Sequence, residues 1–434
     1  MKQLTRLFIP ICLETLFYML SGMVDTLMLS AVGDYAVGAV GTANSYIGIF
    51  IIMFSIISSG MVSVMTQNIG AGRPGVAYQA RQLGLLFNAV AGVLMAVFLF
   101  SGAGAILRMV GIADALYEPA LIYLKIVGGG CILNAVIPIF SSYLRAFGYT
   151  KQPLYATIVG NIANFVMNAV FLFVLHKGVA GVAAATVISK ILNLCIVLYF
   201  SHKLISAKNS TERIANKTVL GQIVKVGLPS ACETALYNVA MMLVIRFLNQ
   251  MDAEGLNVTA RSYTATISNF SYCVGAALAQ ANAIMTGWHI GAGELEECDR
   301  GTQRAAFVGV CVAVCMETVI VLGSGFIMPL FTDNPEMTAL VRKLLAIDIV
   351  LEIGRVTNLV FGQALKTSGD AVFPAVIAAV FMFVFAVGGT WLFGISMGLM
   401  AVGAYIGLAS DECVRAVGMV WRWKTGKWRT KKLV

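Results

Sequence analysis

Four polar residues interrupt the first apolar run of the chain, "LFIPICLETLFYMLSGMVDTLML", and their spacing joins them. Glu14, Tyr18, Ser21 and Asp25 follow one another at +4, +3 and +4, which places them on one face of an α-helix. A carboxylate inside hydrocarbon costs at least ~2.5–3.5 kcal/mol on insertion scales, so it normally meets a partner or a watery cavity. The chemistry open to such a face is reversible binding of H+ or a metal cation. At 1.5 Å per residue Asp25 sits about 16 Å beyond Glu14, so the stripe crosses from the cytoplasmic half of the run to the outer half.

A second stripe lies in the fifth apolar run. "GNIANFVMNAVFLF" spaces Asn161, Asn164 and Asn168 at +3 and +4. Beside the aspartate, these amides would surround a protonatable carboxylate with hydrogen-bonding partners. The blander alternative is interhelical glue worth ~0.6 kcal/mol per contact. The coupling site is the reading adopted here.

The elements that carry these residues are membrane spans. The chain of 434 residues is 59% hydrophobic and 12% charged, with a mean hydropathy of +0.85, against about 25% charged in soluble domains. Runs such as "AVIAAVFMFVFAVGGTWLFGI" match the roughly 20 residues that a bilayer core requires. Spans are expected at 6–30, 43–66, 84–107, 119–145, 154–175, 179–202, 222–249, 260–286, 303–329, 337–365, 372–395 and 399–421. The basic start and apolar stretch at the N-terminus resemble a signal peptide, but Glu14, Asp25 and the run's length favour an uncleaved first span. The nine cysteines form no CxxC or Cys/His spacing, so neither a disulfide framework nor a metal site is expected.

The net charge of +9 belongs to the cytoplasmic side of a membrane protein rather than to nucleic acid. Lys2, Arg6, Arg73, Arg81, Arg145, Lys151, Lys203, Lys208, Arg213, Lys217, Arg300, Arg304, Lys366 and the tail populate one set of loops. Arg108, Lys177, Asp34, Asp252, Glu254 and Asp333 populate the other. Both termini are therefore expected in the cytoplasm. Trp421, Trp423 and Trp428, set among basic residues, read as interfacial anchors on anionic lipid.

The chain also repeats itself. "IPICLETLFYML" is echoed by "LPSACETALYNV", with proline, Glu-Thr and tyrosine in register 219 residues later. "IGAG" at 69 and 290 and "LRAFGYTKQP"/"LKTSGDAVFP" recur at 221, and "GVAGVAAA"/"GLMAVGAY" follow in order. The fold class expected is an all-α polytopic membrane protein. Its twelve transmembrane helices form two six-helix lobes, 1–210 and 211–434 with a basic cytoplasmic tail, related by a pseudo-two-fold axis along the membrane normal, as in parallel-repeat transporters.

The repeat is unequal where chemistry is concerned. Glu14 and Tyr18 have counterparts in Glu233 and Tyr237, whereas Asp25 and the asparagine stripe have none. The symmetric acids read first as architecture, with cavity lining as the alternative. The second half adds Asp348, Glu352 and Arg355 in the tenth span and Asp411, Glu412 and Arg415 in the twelfth. Glu352/Arg355 and Asp411/Arg415 can pair within a helix, as scaffolding or as a gating network.

Taken together, "P…E…VDT", "GAG" with following bases, "LRAFGYTKQP" and "NIANFVMNAVFLF…GVAGVAAA" resemble the multidrug and toxic compound extrusion (MATE) family over essentially the whole chain. The resemblance implies a monomeric antiporter of the plasma membrane that exports cationic or amphipathic small molecules in exchange for H+ or Na+, with no cofactor beyond the ion. It implies ion coupling at Asp25, with Asn164 at the asparagine of the fifth-span motif. Asn168 stands where many proton-coupled members carry aspartate. The positions of the sodium-linked branch's carboxylates hold Tyr237 and Arg355, which favours H+ over Na+, with Glu233 and Glu352 as the acids that would substitute in a sodium site. The alternative is a flippase for a lipid-linked precursor, from the same superfamily. An intramembrane enzyme finds no support, since HExxH, a GxGD pair and a Ser/His arrangement at membrane depth are all missing from the sequence.

Overall fold

A computed structural model describes residues 2–110, 112–205, 212–252 and 255–434. Lys208, Glu254 and the expected lobe boundary at 210/211 lie outside the described residues, as does the side chain of Asp34. Among the described residues all regular structure is helical. The first half comprises α1 (Lys2–Ser30), α2 (Asp34–Gly70), α3 (Pro74–Val110), α4 (Asp114–Gly129), α5 (Cys131–Ala146), α6 (Lys151–Ala169) and α7 (Gly178–Leu204). The second comprises α8 (Asn216–Met251), α9 (Leu256–Ala292), α10 (Leu295–Ile327), α11 (Pro335–Ser368), α12 (Val372–Phe381) and α13 (Met400–Lys424).

Broken helices account for the difference between thirteen elements and twelve expected spans. The fourth span bends by 42° at Gly130, between α4 and α5. The fifth ends in a π-helical turn, Val170–Val174, and the eleventh continues from α12 through Met382–Val387 and Thr390–Ser396. Each then turns through a left-handed glycine at the matching place in the repeat, Gly178 (φ 54°) and Gly398 (φ 69°), a conformation that costs other residues a Cβ clash. The protein is an all-α polytopic membrane protein with six spans in each half.

Composition alone qualifies eight of the described helices as membrane-crossing, or nine with the bent α4–α5 pair. Those that fall short are α9, α11 and α13, and they are polar for a reason. Here α11 packs along both α9 and α13, and Ser268, Ser271, Asp348, Glu352, Asp411, Glu412 and Arg415 are buried. Their polarity is directed into the protein, the orientation that a hydrocarbon surround demands.

Two compact units result, Ile9–Gly227 and Leu228–Val434 with Met1–Phe8. Thus α1 and α8 each pass from one unit to the other immediately before a proline, Pro10 or Pro229. Proline removes one i→i−4 hydrogen bond there. Both helices contribute buried side chains to the cores of their units, Met28 and Leu29 from α1 and Val244 and Leu248 from α8. Elsewhere glycines admit backbone contact. A Cβ on Gly354 would stand 2.7 Å from the Glu412 carbonyl carbon and 2.7 Å from Cys413 N, so α11 and α13 touch backbone to backbone beside their charged residues.

The tail corrects one expectation. Trp421 is exposed, but Trp423 and Trp428 are each 1% exposed and stack at 4.2 Å between ring centroids. Trp423 Nε1 donates to Asp299 Oδ1 (2.7 Å) and Trp428 Nε1 to the Trp423 carbonyl (3.0 Å). With the Arg422–Asp370 ion pair (2.7 Å), they clasp the chain end onto its own unit instead of reaching lipid. A run of Trp, Lys and Arg gives the same sequence signal for either destination.

The Gly354 contact yields a prediction. Gly354→Ala should lower the melting temperature in detergent, reflecting ~1–3 kcal/mol of overpacking. Gly221→Ala, with open space around it, should leave it unchanged or raise it slightly.

Candidate functional site

In the Ile9–Gly227 unit, side-chain hydrogen bonds attach α1 along its polar face. Arg145 Nη2 donates to Glu14 Oε1 at 2.6 Å, Asn161 Nδ2 to the Phe17 carbonyl at 2.8 Å, and Asn168 Nδ2 to Asp25 Oδ1 at 2.7 Å. The same Asn168 amide reaches Asn164 Oδ1 at 3.1 Å. One helical turn separates Asn164 from Asn168, so both fall on the buried side of α6. All three asparagines therefore serve one local network, two of them directly against α1. Asp25 is the charged member, and a donor amide on a carboxylate makes a hydrogen bond stronger than a neutral pair would.

Around Asp25, α1 itself contributes Tyr18, and other helices contribute Tyr123 from α4 and Lys190 from α7. Tyr18 is 69% exposed and Tyr123 is buried, with Asn44 and Thr186 beside its hydroxyl. Lys190 Nζ donates to Asn134 Oδ1 at 2.8 Å. A single lysine in "AATVISKILNLC" is an intramembrane charge visible in the sequence, yet it belongs to neither polar stripe and was not expected to join them.

In the other unit, Glu233 Oε2 meets Lys366 Nζ at 2.8 Å. This is the counterpart of the Glu14–Arg145 pair by position in the repeat: Glu233 lies 219 residues after Glu14, and Lys366 lies 221 after Arg145. Each unit thus ties its first span to its fourth through one ion pair, and the doubled "P…ET" and "L-base…G…P" phrases encode the two partners. Architecture is the role their position supports.

Beyond that pair, α11 and α13 build a larger network. Glu352 is hydrogen-bonded to Arg355. Arg415 holds Asp411 through both Nε (3.0 Å) and Nη2 (2.7 Å), and its Nη2 also reaches Glu412 Oε1 at 2.8 Å. Glu412 in turn faces Arg355 Nε at 3.8 Å and accepts from Asn358 Nδ2 at 3.0 Å. The expected intrahelical pairs are present, but Glu412 links them into one chain of charge across two helices. Glu233, Tyr237, Arg355, Asp411 and Arg415 line a cavity of about 480 Å³. Behind it stands Glu317 of α10, wholly buried, with the Ser271 hydroxyl beside its carboxylate. Glu317 was also unforeseen; its signal was a lone acid in "VAVCMETVIVLG". No group of His, Cys, Asp and Glu arranged for a metal ion occurs among the described residues.

The MatE family model matches residues 10–170 and 229–392, one stretch in each half. The chain belongs to the MATE family. It is 32% identical over 428 residues to the uncharacterized transporter YisQ of Bacillus subtilis, covering 97% of this chain and 94% of that protein. It is 20% identical over 446 residues to the probable multidrug resistance protein NorM of Thermotoga maritima, covering 100% and 94%. The fold matches an outward-facing multidrug resistance MATE transporter with a TM-score of 0.85 at 20% identity, over 98% of this chain and 96% of that one. A Pyrococcus furiosus transporter of the MOP superfamily, described as having a binding pocket of reverse polarity, matches with a TM-score of 0.85 at 19% identity, over 99% and 96%. The protein is a MATE-family transporter.

If the Glu14–Arg145 pair anchors α1 of the transporter, Arg145→Met should destabilise by stranding the glutamate. Adding Glu14→Gln should restore part of the loss, with a coupling of about 1–3 kcal/mol in a double-mutant cycle read from detergent melting.

Proposed function

We propose that the protein exports cationic or amphipathic small molecules across the plasma membrane by antiport with H+, with Asp25 as the coupling carboxylate and alternating access between the two halves. The observation that carries this reading is the Asn168–Asp25 hydrogen bond at 2.7 Å. It gives a membrane-embedded acid a polar partner on another helix while leaving the acid free to exchange a cation. Arg145, Asn161 and Asn168 bridge to α1 through polar contacts, so a change in the charge of Asp25 acts directly on one of the links that hold this helix.

Mechanistically, a proton taken up from outside neutralises Asp25 and weakens its charge-assisted bond to Asn168. Helix α1 then relaxes against α6, and a cationic substrate leaves. On the cytoplasmic face, release of the proton restores the carboxylate and its hold on Asn168. Both termini are cytoplasmic in this reading. Proton is favoured over sodium because Arg355, hydrogen-bonded to Glu352 and facing Glu412, already places a fixed cation where the sodium-linked branch carries a carboxylate. The acids buried in the second unit, Glu317 and Asp348 among them, support a cationic rather than anionic substrate.

The test uses inside-out vesicles and ethidium. Wild type should release lumenal protons when ethidium is added, and Asp25→Asn should reduce that flux to the level of protein-free vesicles while folding and expression persist. Undiminished exchange in Asp25→Asn would remove Asp25 from the mechanism. A wild type that moves neither H+ nor Na+ against a panel of cationic compounds would make a lipid-linked substrate the leading reading.

A further inference from the structure

The coupling carboxylate is not the sole charge in the interior of its unit. Lys190 sits midway along α7, within the apolar run "VAAATVISKILNLCIVLYF". It is half-buried, donates to Asn134 at 2.8 Å, and lies within electrostatic reach of Asp25. An ammonium at this depth is as costly as a carboxylate and needs a counter-charge. Asn134 supplies a dipole but no charge. Of the acids in the helices of this half, Asp34 and Asp114 open α2 and α4 and Glu118 follows one turn into α4, while Glu14 is occupied by Arg145. Asp25 is the anion left for Lys190.

We propose that Lys190 is the resident counter-cation of Asp25, an internal ammonium that any incoming proton or transported cation must outcompete. The inference rests on the reading of Asp25 as the coupling acid and deepens it: Asp25 supplies the site and Lys190 sets its affinity. In the cation-free state the lysine offsets the carboxylate, so the empty site is electrically balanced and can change conformation without carrying net charge through low dielectric. Arrival of a cation leaves the site at +1, so a weakly held ligand on one side is released readily on the other. Other titratable groups facing the pair are Tyr18 from α1, Tyr123 from α4 and Cys131 from α5; α6 presents the neutral Asn164 and Asn168.

A position 221 residues later supports a common plan. Asn134 and Cys131, the neighbours of Lys190, correspond by that offset to Arg355 and Glu352. Each unit therefore places a basic group at the same level of its fourth span, from α7 in one and from α11 in the other. In the second unit, fixed carboxylates surround that base. In the first, the facing acid is Asp25, the one with a polar network able to exchange it.

The experiment compares Lys190→Met, Lys190→Arg and Asn134→Ala in proton-coupled ethidium exchange, with Asp25→Asn in parallel. Removal of one nearby charge is worth on the order of tenfold in affinity, or about one pH unit. Lys190→Met should therefore lower the half-saturating ethidium concentration about tenfold and move the pH of half-maximal exchange up by about one unit. Lys190→Arg should restore wild-type values. A Lys190→Met profile that superimposes on wild type overturns the proposal, as does Asn134→Ala reproducing the Lys190→Met shifts, since that variant removes only the brace between α5 and α7. Should Lys190→Met not fold alone, the melting temperature of Asp25→Asn/Lys190→Met decides. A double variant more stable than Asp25→Asn supports the pair, and one that is less stable overturns it. The underlying reading fails separately, through undiminished exchange in Asp25→Asn.

Discussion

A charge buried in a membrane must be neutralised, and the architecture of this transporter follows from how each one is. The doubled glutamates of the first and seventh spans find bases on the fourth and tenth, Glu14 with Arg145 and Glu233 with Lys366. Each pair adds a directional polar link to a helix that apolar burial also holds, Met28 and Leu29 of α1 and Val244 and Leu248 of α8 lying in the cores of their units.

The two units then diverge in how they treat their remaining charges. In the second, Arg355 and Arg415 are enclosed by Glu352, Asp411 and Glu412, with Asn358 completing the chain. Backbone contact at Gly354 fixes the separation of α11 and α13, and so the reach of those side chains. In the first, the charges are few and their partners are amides. Asp25 is held by Asn168 and Lys190 by Asn134. In the second unit the charges answer one another in a network of ion pairs, whereas in the first Asp25 and Lys190 each have an amide as hydrogen-bonded partner. The two units, alike in their Glu14–Arg145 and Glu233–Lys366 pairs, thus differ in how their remaining charges are partnered.

Much of this was legible in the sequence because helix periodicity projects residues onto faces. The +3/+4 spacing of Glu14, Tyr18 and Asp25, and of Asn161, Asn164 and Asn168, predicted two polar faces, and the structure brings Asp25 against Asn168. The unequal repeat separated Asp25 from the symmetric glutamates. What spacing does not reveal is partnership across long stretches of chain. Arg145 stands 131 residues from Glu14, and its register in the repeat was the available clue. Lys190 and Glu317 are single charges without a stripe, so periodicity passes over them. Glu412 was visible as an acid, but its bridging of two arginines depends on the close approach of α11 and α13. The buried Trp423 and Trp428 show the converse: amphipathic composition marks an interface without saying whether lipid or protein fills it.

The central claim is that one carboxylate exchanges a proton for a transported cation. The most direct measurement is proton release by the purified transporter in weakly buffered detergent solution as ethidium is added. Linkage requires that binding to a protonated acid displace its proton. The account predicts release of up to about one proton per wild-type molecule, saturating with ethidium binding, and none from Asp25→Asn. Equal release from both proteins would contradict it and transfer the coupling role to another acid.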